Sequence, residues 1–127
     1  MADFSGKKIL LVEDDIMLSK LMSKKLIENN ADVTNALDGE EAVQIIKSNS
    51  QFDLILLDIM LPKMDGFQVL ENIRADEEKK NTVVVILSNL GQKNDVEKGV
   101  SLGAKKFLVK AILPPDEIVE EISTLLK

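Results

Sequence analysis

The chain has 127 residues, 45% hydrophobic and 30% charged, with a net charge of −6, the make-up of one globular domain around a single core. It contains no cysteine and no histidine, which excludes disulfides, thiolate chemistry, Cys/His metal sites and an internal phosphohistidine. The acidic balance disfavours direct nucleic-acid binding, no apolar run reaches the ~18 residues of a membrane span, and "MADFSGKK" lacks a signal-peptide core; the expected setting is the cytoplasm, with no membrane partner.

"KILLV" (Lys8–Val12) reads as a buried strand, and Glu13-Asp14-Asp15 follows it at once. A helical pattern runs from Asp15 to Glu28, with Leu18, Leu21, Met22 and Leu26 on one face. Asp15 suits the N-cap of that helix. "ADVTNAL" (Ala31–Leu37) is a shorter, weaker strand, after which Asp38-Gly39 turns into a helix carrying Ala42, Val43 and Ile46 inward.

Leu54–Leu57 is the next strand and ends on Asp58; Gly66–Ala75 is the helix after it. The charge run "ADEEKKN" (Ala75–Asn81) reads as a solvated loop or helix end. Thr82–Leu87 is a strand leading to Ser88-Asn89, Asp95–Leu102 a helix ended by Gly103, and Lys105–Lys110 the last strand. Pro115 suits the first turn of a final helix, with Ile118, Val119, Ile122, Leu125 and Leu126 in one stripe.

Five strand–helix units in series, with central strands lacking polar alternation, predict a five-stranded parallel sheet with helices on both faces. The expected fold is a doubly wound α/β sandwich, (βα)5 and flavodoxin-like, filling residues 1–127 as a single domain with no effector domain.

In such sheets reactive groups gather beyond the carboxyl ends of the strands. There stand Glu13 and Asp14, Asp58, Ser88 and Lys110. Each alone reads as a cap, a loop hydroxyl or a surface charge; together they put acids, one hydroxyl and one amine at a single edge. Crowded carboxylates repel unless a hard divalent cation relieves them. Mg²⁺ (or Mn²⁺) takes one or two carboxylates plus phosphate oxygens, and Glu13, Asp14 and Asp58 would form such a partial cage. Asp58, beside a metal, a cation and a donor, suits a nucleophile that takes a phosphoryl group.

"ILLVEDD", "DLILLDIMLPKMDGFQVL", "VVVILSN" and "SLGAKKFLVK", in this order, resemble the receiver domain of two-component response regulators of the stand-alone chemotaxis-regulator type. The resemblance spans roughly Lys7 to Lys127. It implies Asp58 as phospho-acceptor and Mg²⁺ held by Asp14, Asp58, the Met60 backbone carbonyl and Glu13, the last directly or through water. It implies that Ser88 and Lys110 grip the phosphoryl group and that Phe107 is the switch aromatic. Asp15 has no required role. The implied partners are a histidine kinase or a histidine phosphotransfer protein, which donates in trans, and a downstream protein target. The implied catalysis is limited to the chain's own phosphorylation and dephosphorylation.

Two positions depart from the family pattern. Ala111 follows Lys110 where a cis-proline is usual, and a cis bond before a non-proline residue costs about 2.5–4 kcal/mol. Asn89 is bulkier than the usual small residue, which predicts slower or more selective phosphorylation. Met60 and Leu90, two residues beyond the acceptor and the hydroxyl, are apolar and cannot orient water; they predict a long-lived phosphorylated state.

Ala111 and Asn89 favour the rival reading, a receiver that docks proteins without being phosphorylated. A haloacid-dehalogenase-type phosphatase wants a second acid where Met60 stands. A flavodoxin-like cofactor binder wants a glycine- and hydroxyl-rich loop where "EDDIM" stands.

Overall fold

Lys8–Val12 (β1), Asp32–Ala36 (β2), Leu54–Leu57 (β3), Val83–Ser88 (β4) and Lys106–Val109 (β5) pair in parallel in one sheet of order β2-β1-β3-β4-β5. Between and after them run Ile16–Glu28 (α1), Gly39–Lys47 (α2), Gly66–Ala75 (α3), Lys93–Ser101 (α4) and Pro115–Thr124 (α5). The computed structural model describes residues 2–48, 51–89, 93–110 and 113–126. The expected fold class is the one observed.

Strand alternation divides the core. Leu10, Val12, Ile55, Leu57, Val84 and Ile86 face α2 and α3, meeting Val43, Ile46, Phe67 and Leu70. Ile9, Leu11, Leu54, Leu56, Val85 and Leu87 point the other way, onto Met22 and Leu26 of α1 and Ile118 and Ile122 of α5. Strands clad on both faces have no room for polar residues, which is why β3 reads "LILL". The weaker β2 and β5 lie at the sheet edges.

The structure corrects some details. Leu21 is 42% exposed; α1 turns Leu18, Met22 and Leu26 inward together with Ser19. Asn35 of β2 donates to the Ser19 hydroxyl at 3.0 Å, so a polar contact takes part of the apolar face expected there. The charge run is not wholly solvated either. Lys79 is 4% exposed, and its ammonium donates to the carbonyls of Ile46 (2.5 Å) and Ser48 (3.2 Å) at the end of α2. A cation is favourable against carbonyls at the end of a helix.

Candidate functional site

Register builds the site. Val12 pairs with Leu57, so the next residues, Glu13 and Asp58, leave the sheet side by side. Backbone bonds carry the ladder past the strand ends: Asp58 N–H to the Val12 carbonyl, Glu13 to Ala36, and Lys110 to Ser88, each 3.0 Å. Three loops are thereby fixed before any side chain contributes.

Glu13 is 3% and Asp58 6% exposed, whereas Asp14 is exposed. Carboxylate oxygens of all three lie within 4.8 Å of one another. The Lys110 ammonium donates to Glu13 Oε1 and, at 3.0 Å, to Asp58 Oδ2. Asp58 Oδ1 accepts the Met60 N–H at 3.3 Å, and Glu13 Oε2 accepts the Asp15 N–H at 3.1 Å. Asp15 caps α1 instead of joining the cluster, accepting the Leu18 N–H at 3.1 Å.

Burial pushes the Glu13 carboxyl up to about 7, against the opposing pull of its bonds to Lys110 and the Asp15 N–H. Desolvation alone would lower the Lys110 ammonium; its bonds to Glu13 and Asp58 outweigh that and hold it above the ordinary lysine value.

The cluster opens into a cavity of about 340 Å³ lined also by Met60, Ser88 and Asn89. Ser88 is buried and Asn89 exposed. Met60 is 61% exposed at the mouth. Phe107 is half-buried on β5, its ring beside the α4 backbone at Gly99. Leu90 and Ala111 lie outside the described residues, and so does the question of a cis Lys110–Ala111 bond.

Glu13, Asp14, Asp58, Ser88, Asn89, Met60 and Lys110, the residues expected at the site, all line this cavity. Not expected are the glycines that let neighbouring backbone close in. A β-carbon on Gly66 would meet the Asp58 carbonyl oxygen at 2.2 Å, and one on Gly39 the Met64 carbonyl oxygen at 2.0 Å. The Asp-Gly pairs at both helix starts were the signal available.

The donor set fits a hard divalent cation. Three carboxylate oxygens lie within 4.8 Å of one another, all ligand atoms are oxygen, and among the described residues Lys110 is the one cation lining the cavity with them.

The family model for the response regulator receiver domain matches residues 9–123. This chain belongs to that family. Among curated proteins, the receiver is 38% identical to the chemotaxis protein CheY of Treponema pallidum, over 94% of this chain and 83% of that protein. It is also 38% identical to the DNA-binding dual master transcriptional regulator RpaA of Synechocystis sp., over 94% of this chain but 49% of that protein. The chain thus spans about half the length of several curated relatives it matches. Among solved structures, it superposes on CheY in the CheX–CheY–BeF3–Mg²⁺ complex of Borrelia burgdorferi with a TM-score of 0.86. The two are 31% identical over 97% of this chain and 91% of that one. Receiver domains of two-component signalling bind Mg²⁺ at an acidic pocket, and the Glu13–Asp14–Asp58 cluster is such a pocket.

Proposed function

We propose that this receiver is a phosphorylation-dependent switch in which Asp58 accepts a phosphoryl group from a phosphohistidine donor. The observation that carries the reading is the buried Asp58 carboxylate, bonded to Lys110 at 3.0 Å within a cluster of two further acids. An Asp58 oxygen forms the new O–P bond as the donor's P–N bond breaks, and the imidazole leaves with a proton. Mg²⁺ when bound supplies charge neutralisation at the transferring oxygens. Asp14 and Glu13, with the Met60 carbonyl, would complete its protein ligands.

The remaining work falls to the chain's own groups. Lys110 follows the added negative charge, and the Ser88 hydroxyl donates to a phosphoryl oxygen. Drawing Ser88 inward vacates space beside β5 that the Phe107 ring fills, altering the surface of α4 and β5. A complete shift from 1:99 to 99:1 would need about 5.5 kcal/mol of differential stabilisation, so a partial shift is the expected response.

On this reading the chain acts in the cytoplasm, turns over no second substrate, receives its phosphoryl group from a histidine kinase or phosphotransfer protein, and signals by protein contact. No described helix is long and apolar enough to cross a membrane. Intact mass after incubation with phosphoramidate tests it. One Mg²⁺-dependent phosphate adduct, absent from Asp58→Asn, is the expected result. No adduct from either phosphoramidate or phosphorylated histidine proteins would instead favour a docking module that is never phosphorylated.

A further inference from the structure

The far end of the sheet, where the strands begin, carries a concentration of positive charge in an otherwise acidic chain. A cavity of about 390 Å³ there is lined by Arg74, Lys80 and Lys105 with the apolar Val83 and Leu125, and among the described residues no carboxylate lines it. Arg74 is held rigidly. Its guanidinium donates to the carbonyls of Lys80 (2.8 Å), Thr82 (2.9 Å) and Gly103 (2.6 Å). Gly103, at φ 98°, lies so close that a β-carbon would sit 2.5 Å from Arg74 Nε. Carbonyls orient a cation without neutralising it, and among the described residues Arg74 has no carboxylate partner. Lys105 likewise has no ion pair among them, while Lys80 is shared with Glu77 at 2.8 Å.

We propose that this pocket binds a small organic phosphate, with the phosphate on Arg74 and Lys105 and the organic part on Val83 and Leu125. Three of the five Arg74 N–H groups are taken by those carbonyls, which leaves Nε–H and one Nη2–H as donors to phosphate oxygens, and Lys105 adds a point charge. The volume is within the range of small-molecule pockets. The pocket shares no lining residue with the cavity at Asp58.

The test is a titration of the ¹⁵N-labelled, Mg²⁺-free chain with AMP and with inorganic phosphate at about 150 mM salt, where diffuse charge attraction is screened. Saturable shifts of the Thr82, Gly103 and Lys105 amides, with AMP tighter than inorganic phosphate, are expected. Lys105→Met and Lys105→Glu, with unchanged melting temperatures, should weaken AMP at least about tenfold, the loss of one charge-assisted contact. Shifts that never saturate, that cluster only at Ser88 and Lys110, or that persist in both variants overturn the proposal. Inorganic phosphate binding as tightly as AMP overturns it too.

Discussion

Gly66 lies flush against Asp58: a β-carbon there would stand 2.2 Å from the Asp58 carbonyl oxygen and 2.7 Å from Ile59 Cα. The first turn of α3 is thus packed directly on the backbone that presents the central carboxylate. The Gly66 N–H adds a 2.8 Å bond to the Ile59 carbonyl.

Backbone cannot yield as the end of a side chain can, so Gly66→Ala must displace either α3 or the Asp58 loop. We predict a loss of about 1–3 kcal/mol in urea unfolding, the usual cost of overpacking, together with weaker Mg²⁺ binding by calorimetry. Unchanged stability and unchanged binding heat would show that the loop moves freely.

Lys110→Ala removes the cation bonded to Glu13 and Asp58. A divalent ion then meets three carboxylates without a competing charge. Mg²⁺ affinity should rise on the order of tenfold, about 1.4 kcal/mol, while the conformational response to phosphorylation is lost. Calorimetry checks the first effect and amide shifts at Phe107 the second.

The pH dependence of the metal-free chain should carry the signature of Glu13. Its carboxyl stands at about 7 in the folded chain against an ordinary 4.5, so between those values the folded state binds more protons than the unfolded. Stability attributable to Glu13 therefore rises as pH falls through 7 toward 4.5, and the cost of its buried charge is fully present above 7. Wild type minus Glu13→Gln, compared in urea midpoints at pH 8 and pH 5.5 in EDTA, isolates this from other acids. A difference of about 1–3 kcal/mol is expected, with the variant flatter.

Asn89 and Met60 line the cavity mouth, and both are exposed. Asn89→Ala should speed phosphorylation by phosphoramidate several-fold, on the order of 1 kcal/mol in barrier. Met60→Asn places a water-orienting amide beside the acceptor, and the phosphorylated state should hydrolyse faster. Unchanged uptake in the first or slower hydrolysis in the second contradicts the assigned roles.

The sequence made the central strands legible because burial on both faces leaves only aliphatic residues, as in Leu54–Leu57. The site was legible for a related reason: acids, Ser88 and Lys110 each follow a strand, and parallel strands end at one edge. What stayed hidden depends on partners distant in the chain. Nothing in "EEKK" separates Lys79, which caps α2 from 33 residues away, from its solvated neighbours. The periodicity of α1 puts Leu21 inward because it cannot show that Asn35 bonds Ser19 on the inner face. Nothing in the pattern of Gly66–Ala75 shows that three carbonyls from two other segments converge on Arg74.

β1 and β3 are neighbours in the sheet, yet α1, β2 and α2 all lie between them in the chain. Glu13 and Asp14 therefore meet Asp58 only after that whole crossover has closed, a non-local step whose entropy is spent before its contacts form. Their mutual repulsion is absent from the early chain and enters as the centre of the sheet assembles. A divalent ion bound across these two strand ends holds together segments that nothing local joins, and it binds the finished sheet in preference to the open chain. The receiver's resistance to unfolding should accordingly rise with divalent-cation concentration, so the acidic pocket would add to the stability of the sheet it closes.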